Sequence, residues 1–214
     1  MDTLNGAGSG YKWGVMSAEE TQALRADARL NHDRVLEAAG RAFARDGEDA
    51  SLKAIAKDAG VGIGTLYRRF PTRELLVEAT YRAESAKLCA AAPTLLEAMP
   101  AAEATRMWMD GFLDYLAAKR GMAGALHAVL TNDDDLRMKT RGLLIDAMAT
   151  LLAAGVAEGT VRPDVDPTVV VMGLGGVALI AGQPDQRELA RDLLDLLMDG
   201  LRYGALPPDA RGRE

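Results

Sequence analysis

The chain has 214 residues, a net charge of −6, 49% hydrophobic but only 5% aromatic residues, and a single cysteine, Cys89. This length buries a core without covalent staples, one cysteine excludes an intramolecular disulfide, and filling by alanine, leucine and methionine suits helices. No basic region followed by an apolar run marks a signal peptide, so a reducing cytoplasm is the expected setting.

Residues 1–16 hold four glycines and no periodic pattern. They read as a flexible tail in which Met16 offers a second possible start. Ser17 to Leu30 has helical character, with Ser17 and Glu20 spaced as a capping box. Residues 1–30 are taken together as a flexible arm whose Arg25 and Arg29 either touch DNA backbone or are simply solvated. The first core helix is expected from Asn31 or His32 to Arg45, with Val35, Leu36, Ala39, Ala42 and Phe43 on one stripe and Gly47 ending it.

A second helix begins after Ser51, its N-cap. Leu52, Ile55, Ala56 and Ala59 recur at helical spacing, and Ile63, Leu66, Tyr67 and Phe70 repeat that spacing after a break. Gly60 occupies the left-handed C-terminal position, and Gly62 keeps the turn small. Two short amphipathic helices on a three-residue turn predict a helix-turn-helix. Its second helix leaves Gly64, Thr65, Arg68 and Arg69 outward, with Tyr67 at the edge. Three cations and no acid lie between Gly60 and Arg73. Such a strip in an acidic chain fits phosphate contact, with an ordinary solvated hairpin face as the alternative. Ser51 also suits a phosphate. Thr72 caps a fourth helix, where Arg73 in the first turn opposes the macrodipole unless an anion binds there. That helix is expected to stop at Pro93.

These residues resemble the DNA-binding domain of the TetR family of bacterial transcriptional regulators. The resemblance is carried by Phe43-Ala44-Arg45-Asp46-Gly47, Ile55-Ala56-Lys57, Ala59-Gly60-Val61, Gly64-Thr65-Leu66-Tyr67, Phe70 and Arg73-Glu74-Leu75-Leu76. It implies DNA contacts from Ser51, Gly62, Gly64, Thr65, Tyr67, Arg68, Arg69 and Arg73. Position 73 is usually lysine in that family and position 69 often histidine or another aromatic, so the base contacts and operator do not carry over. The C-terminal third looks SbtR-like. The implied fold is all-α: a three-helix helix-turn-helix domain over residues 31–82, a helical ligand-binding and dimerisation domain over 83–206, about nine helices in total, and a flexible tail over 207–214.

Helical segments follow at about 101–119, 122–131, 134–155, 166–182 and 185–203, separated by Gly121, Asn132-Asp133, 155–166 and Gln183-Pro184. Trp108, Phe112 and Tyr115 share one stripe, and Leu144 and Met148 another. By spacing they read as a filled core; the resemblance implies that Trp108, Phe112, Tyr115, His127, Leu144 and Met148 line a pocket for a small apolar effector. His127 by itself reads as an ordinary core histidine. The run Asn132-Asp133-Asp134-Asp135 reads as helix capping, not a metal site, and Asp166-Pro167 as a cap with proline at the first helical position. No metal or cofactor is expected.

The stretch 169–182 is apolar all round, too short to span a membrane, and rich in glycine and alanine. With the leucine stripe that follows, it predicts a homodimer interface through Val170, Leu174, Val177, Leu189, Leu193 and Leu197. The leading functional expectation is a dimeric repressor released from a palindromic double-stranded DNA operator by a small effector. A helical protein-interaction module is the alternative. An enzyme is the least supported reading, because two histidines about 95 residues apart and one cysteine form no nucleophile–base set, and Gly173–Gly176 follows no strand.

Overall fold

The computed structural model describes residues 18–180 and 184–204. The tails expected at 1–16 and 207–214, the Met16 start, the Ser17 cap and Gln183 lie outside the described residues, as do the side chains of Glu20 and Arg25. Nine α-helices account for nearly all of the described chain: α1 (Ala18–Asp46), α2 (Leu52–Asp58), α3 (Ile63–Arg69), α4 (Arg73–Ala98), α5 (Ala101–Gly121), α6 (Ala123–Asn132), α7 (Asp134–Glu158), α8 (Pro167–Ile180) and α9 (Arg187–Arg202). No strand occurs among the described residues.

Two expected boundaries fall inside helices. The arm and the first core helix are one continuous α1, and α4 runs through the division expected at 82/83. Helix α4 also passes through Pro93 to Ala98, against the expected stop. Proline withholds one donor and crowds the carbonyl four residues earlier. Here the buried Trp108 indole Nε1 donates to the Leu88 carbonyl at 2.8 Å, and Thr94 Oγ1 donates to the Ala90 carbonyl. These bonds go to the carbonyls on either side of Cys89, the one that Pro93 leaves without its helical donor, and burial of Leu88 and Ala92 holds the helix in place.

The first three helices close around Val35, Leu36, Ala39 and Phe43 of α1, Ile55 and Ala56 of α2, and Leu66 of α3, with Phe70, Leu76 and Val77 sealing one end. Each such large side chain contributes about 1.5–3 kcal/mol by burial. Helix α5 is the axis of the remaining body. It packs against α1, α4, α7, α8 and α9, and its Trp108, Met109, Phe112 and Tyr115 are all buried. Among the described helices, α7 is long and apolar enough to cross a membrane, yet Leu144, Met148, Leu151 and Leu152 pack inward and α7 lies against α4, α5 and α8.

The helix caps explain the joints. Ser51, Thr72 and Asp133 cap α2, α4 and α7 by accepting from Ala54, Leu75 and Leu136 backbone N–H groups. Asp166 Oδ1 accepts from the Thr168 N–H at 2.7 Å. Helices α5 and α6 start at Pro100 and Met122, which carry no capping oxygen. Glutamates from elsewhere replace them. Glu158 of α7 accepts from the Ala101 N–H at 3.0 and 3.2 Å, and Glu48 accepts from the Gly124 N–H at 2.8 Å.

Candidate nucleic-acid interface

Helix α2 ends in a Schellman turn. The Val61 N–H donates to the Ala56 carbonyl at 2.9 Å and the Gly60 N–H to the Lys57 carbonyl at 3.1 Å, with Gly60 at φ +69°. Gly62 then serves as the N-cap of α3 in an extended conformation. The turn sets α3 across α2 and decides which of its residues face out. Leu66 and the following Phe70 are buried, whereas Ile63, Gly64, Thr65, Tyr67, Arg68 and Arg69 are exposed, Tyr67 at 49%. The stripe that ran through Ile63 and Tyr67 in the sequence is therefore only half core.

The outward residues are held in place. Arg68 donates to Thr65 Oγ1 at 3.1 Å, which lays the guanidinium along the helix. Arg69 donates through Nε to His32 Nδ1 at 3.2 Å. The His32 ring stacks on Phe70 with centroids 5.5 Å apart. Burial and the adjacent Arg69 charge hold His32 below its usual pKa, with Asp33 opposing. A neutral ring accepting at Nδ1 is the form that orients Arg69. Helix α3 carries no acid, so its exposed face has one sign.

Arg73 sits differently from the expected phosphate site. Its guanidinium donates to the Ala50 carbonyl at 2.7 Å and the Glu48 carbonyl at 2.8 Å, and lies 5.2 Å from the Phe43 ring centroid. The carbonyls of the 3₁₀ turn Gly47–Asp49 and its cap Ala50 need donors, and the planar fork reaches two at once. Arg73 is thus a strut between α4 and the α1–α2 turn. Ser51 is exposed at the mouth of this turn and caps α2.

Of the residues expected to line an effector pocket, Trp108, Phe112, Tyr115, Leu144 and Met148 are packed in the core. Trp108 stacks at a tilt on Phe112, which in turn meets Tyr115. Burial pushes the Tyr115 hydroxyl pKa up, so it stays neutral. His127 borders a cavity. That cavity, about 350 Å³, lies between α5, α6 and α8, with Leu116, Lys119, Arg120, Leu126, His127 and Leu130 among its walls. The aromatic stripe packs against α4, where the Trp108 indole meets the Leu88 carbonyl, and the cavity lies further toward the C-terminal end of α5, where Lys119 continues the same stripe.

The expected dimer residues divide in the same way. Val170, Leu174 and Val177 face the protomer's own core, Leu174 at 0% exposure. The outward face of α8 carries Val169 (66%), Met172 (56%), Leu179 and Ile180. Helix α9 adds exposed Leu189 and Leu196 (68%), beside half-buried Leu193 and Leu197. An all-apolar helix gives no period from which to choose its inner face, so the sequence does not separate the buried Val170, Leu174 and Val177 from the exposed residues of α8.

A helix-turn-helix with a one-signed outer helix, joined through a shared long helix to an all-helical body, defines the class of two-part DNA-binding regulators. Comparison with known proteins agrees. Residues 35–80 match the model of bacterial regulatory proteins of the tetR family, and residues 100–203 match the C-terminal domain of SbtR-like transcriptional regulators. The chain is similar to a TetR transcriptional regulator from Streptomyces coelicolor, with 49% identity, TM-score 0.75, and coverage of 79% of this chain and 97% of that one. A TetR regulatory protein from Mycobacterium vanbaalenii shows 34% identity and TM-score 0.67, covering 84% and 99%. HTH-type transcriptional regulators of Staphylococcus aureus are 46% identical over 48 residues, which is 22% of this chain and 26% of theirs. The match thus spans about a quarter of those curated relatives. The chain belongs to the TetR family of transcriptional regulators.

Proposed function

We propose that this chain is a sequence-specific regulator that binds a palindromic operator as a homodimer and is released by a small effector. The observation that carries the reading is α3: a short helix on a tight turn, with Thr65, Tyr67, Arg68 and Arg69 outward and no acid among them. Helix N-terminal residues and arginines of this kind read base edges and phosphates in the major groove. Residues 32–85 hold nine cations and nine acids, so non-specific attraction is weak and one copy binds poorly. Two copies joined through α8 and α9 would place their recognition helices about 34 Å apart. Dimerisation and effector release are typical of the family, and a cytoplasmic setting goes with them. The half-buried Cys89 thiol is pushed up in pKa by burial, which suits a packing role and not a nucleophile.

Selection from random or genomic DNA with the purified full chain tests this. The expected product is an imperfect palindrome with half-sites one helical turn apart. Tyr67→Ala or Arg68→Ala then lowers affinity for it by about 1–3 kcal/mol in a mobility-shift assay while the dimer persists. Enrichment of no sequence by a well-folded dimer points to the protein-interaction alternative and overturns the reading.

A further inference from the structure

The cavity between α5, α6 and α8 has an uneven lining. Leu116, Leu126 and Leu130 give it an apolar floor, and its polar side chains are Lys119, Arg120 and His127. Among the described residues no carboxylate lines it, although residues 86–214 hold eighteen acids against thirteen cations. The larger cleft between α1, α5 and α9, about 860 Å³, instead sets Asp46 and Asp114 among its arginines. One-signed charge at the edge of an apolar space selects a ligand with an apolar body and an anionic head.

The cations are positioned for it. Lys119 is half-buried, with Nζ 5.8 Å from the Tyr81 ring centroid. Arg120 donates to the Ala178 carbonyl on the opposite wall. A guanidinium has five donors, so this bond and a carboxylate contact are compatible. His127 adds a ring nitrogen on the α6 side. We propose that this groove binds an amphipathic carboxylate of medium chain length, its alkyl body among Leu116, Leu126 and Leu130 and its head at Lys119 and Arg120.

The assignment rests on the effector-released regulator described above and specifies the effector's chemistry. It also gives release a route. Helix α6 supplies Leu126, His127 and Leu130 to the groove, and its N-terminus is capped by Glu48, whose own carbonyl holds Arg73. A ligand that shifts α6 therefore acts on the turn that anchors α4 to α1.

The test is calorimetric titration of the full chain with decanoate, decanol and decylammonium, each below its micelle-forming concentration. Decanoate is expected to bind once per chain, at least about tenfold tighter than decanol, with decylammonium weaker still. Lys119→Gln with Arg120→Gln is expected to remove that preference while the melting temperature holds, and Lys119→Arg to keep it. Equal binding of decanoate and decanol, no decanoate binding, or an unchanged preference in the double variant overturns the proposal. The titration contains no DNA. A chain that takes decanoate but enriches no operator keeps this site and loses the regulatory reading; one that binds operator and ignores decanoate loses this site alone.

Discussion

At the scale of single residues, two arginines of similar sequence context have different work. Arg73 spends its fork on the carbonyls of Glu48 and Ala50, while Arg69 stays on the surface and is steered by His32. The steering depends on protonation. Burial, then Arg69, hold His32 below the usual value of about 6.5, against the opposing Asp33. Below that pH the unfolded chain takes up a proton more readily than the folded one. The contribution of the His32–Arg69 pair is therefore present above about pH 6.5 and lost as pH falls through the lower folded value. His32→Gln keeps an acceptor but does not titrate. Its melting temperature is expected to fall less than wild type's between pH 7.5 and 5.5. Equal slopes for the two proteins in thermal melts at both pH values rule out this role for His32.

At the scale of elements, the joint between the DNA-reading helices and the body is a cluster of close approaches. Gly121 lies so near α1 that an added Cβ would sit 1.7 Å from the Phe43 carbonyl oxygen. A Cβ on Gly124 would lie 2.5 Å from Glu48 Oε1. Backbone at Gly121 cannot yield as a flexible side chain can. Gly121→Ala is expected to destabilise by about 1–3 kcal/mol, as overpacking does. Glu48→Ala leaves an exposed cap unmade, at a cost of about 0.5–1 kcal/mol, or about 2–4 °C per kcal/mol in melting temperature for a chain of this size. A calorimetric scan that ranks the two the other way would break this account of the joint. None of this was legible in the sequence. Glu48 and Gly124 are 76 positions apart, and His32 and Arg69 are 37 apart, with no local pattern linking them. What was legible came from local chemistry: the α2–α3 turn from Gly60, the caps at Ser51 and Thr72, and a cap within Asn132-Asp133, which the structure assigns to Asp133. The passage of α4 through Pro93 was not legible because what holds the helix there, the burial of Leu88 and Ala92 and the Trp108 bond to the Leu88 carbonyl, depends on α5.

At the scale of the whole molecule, the question is what covers α8 and α9. Val169 and Met172 on α8, and Leu189 and Leu196 on α9, leave an exposed apolar face on two adjoining helices of one protomer. Patches of this kind mark interaction sites. A second copy of the same pair would bury them in a four-helix contact whose two-fold axis matches a palindrome. The half-buried Gly173 and Gly176 lie on the same side of α8 and would let a partner's helices approach closely. Opposite faces of α8 should then respond differently to charge. Val169→Glu with Leu196→Glu puts acids only on the outer face, so the chain is expected to stay helical by circular dichroism but sediment as a monomer. Leu174→Glu buries an unpaired carboxylate in the protomer and is expected to unfold it. Because one reading head carries no net charge to hold it on DNA, the folded monomer should lose operator binding almost entirely although every residue of α3 is intact. A double variant that still sediments as a dimer would move the interface off these helices. A monomer that binds the operator as tightly as wild type would remove the need for the second copy.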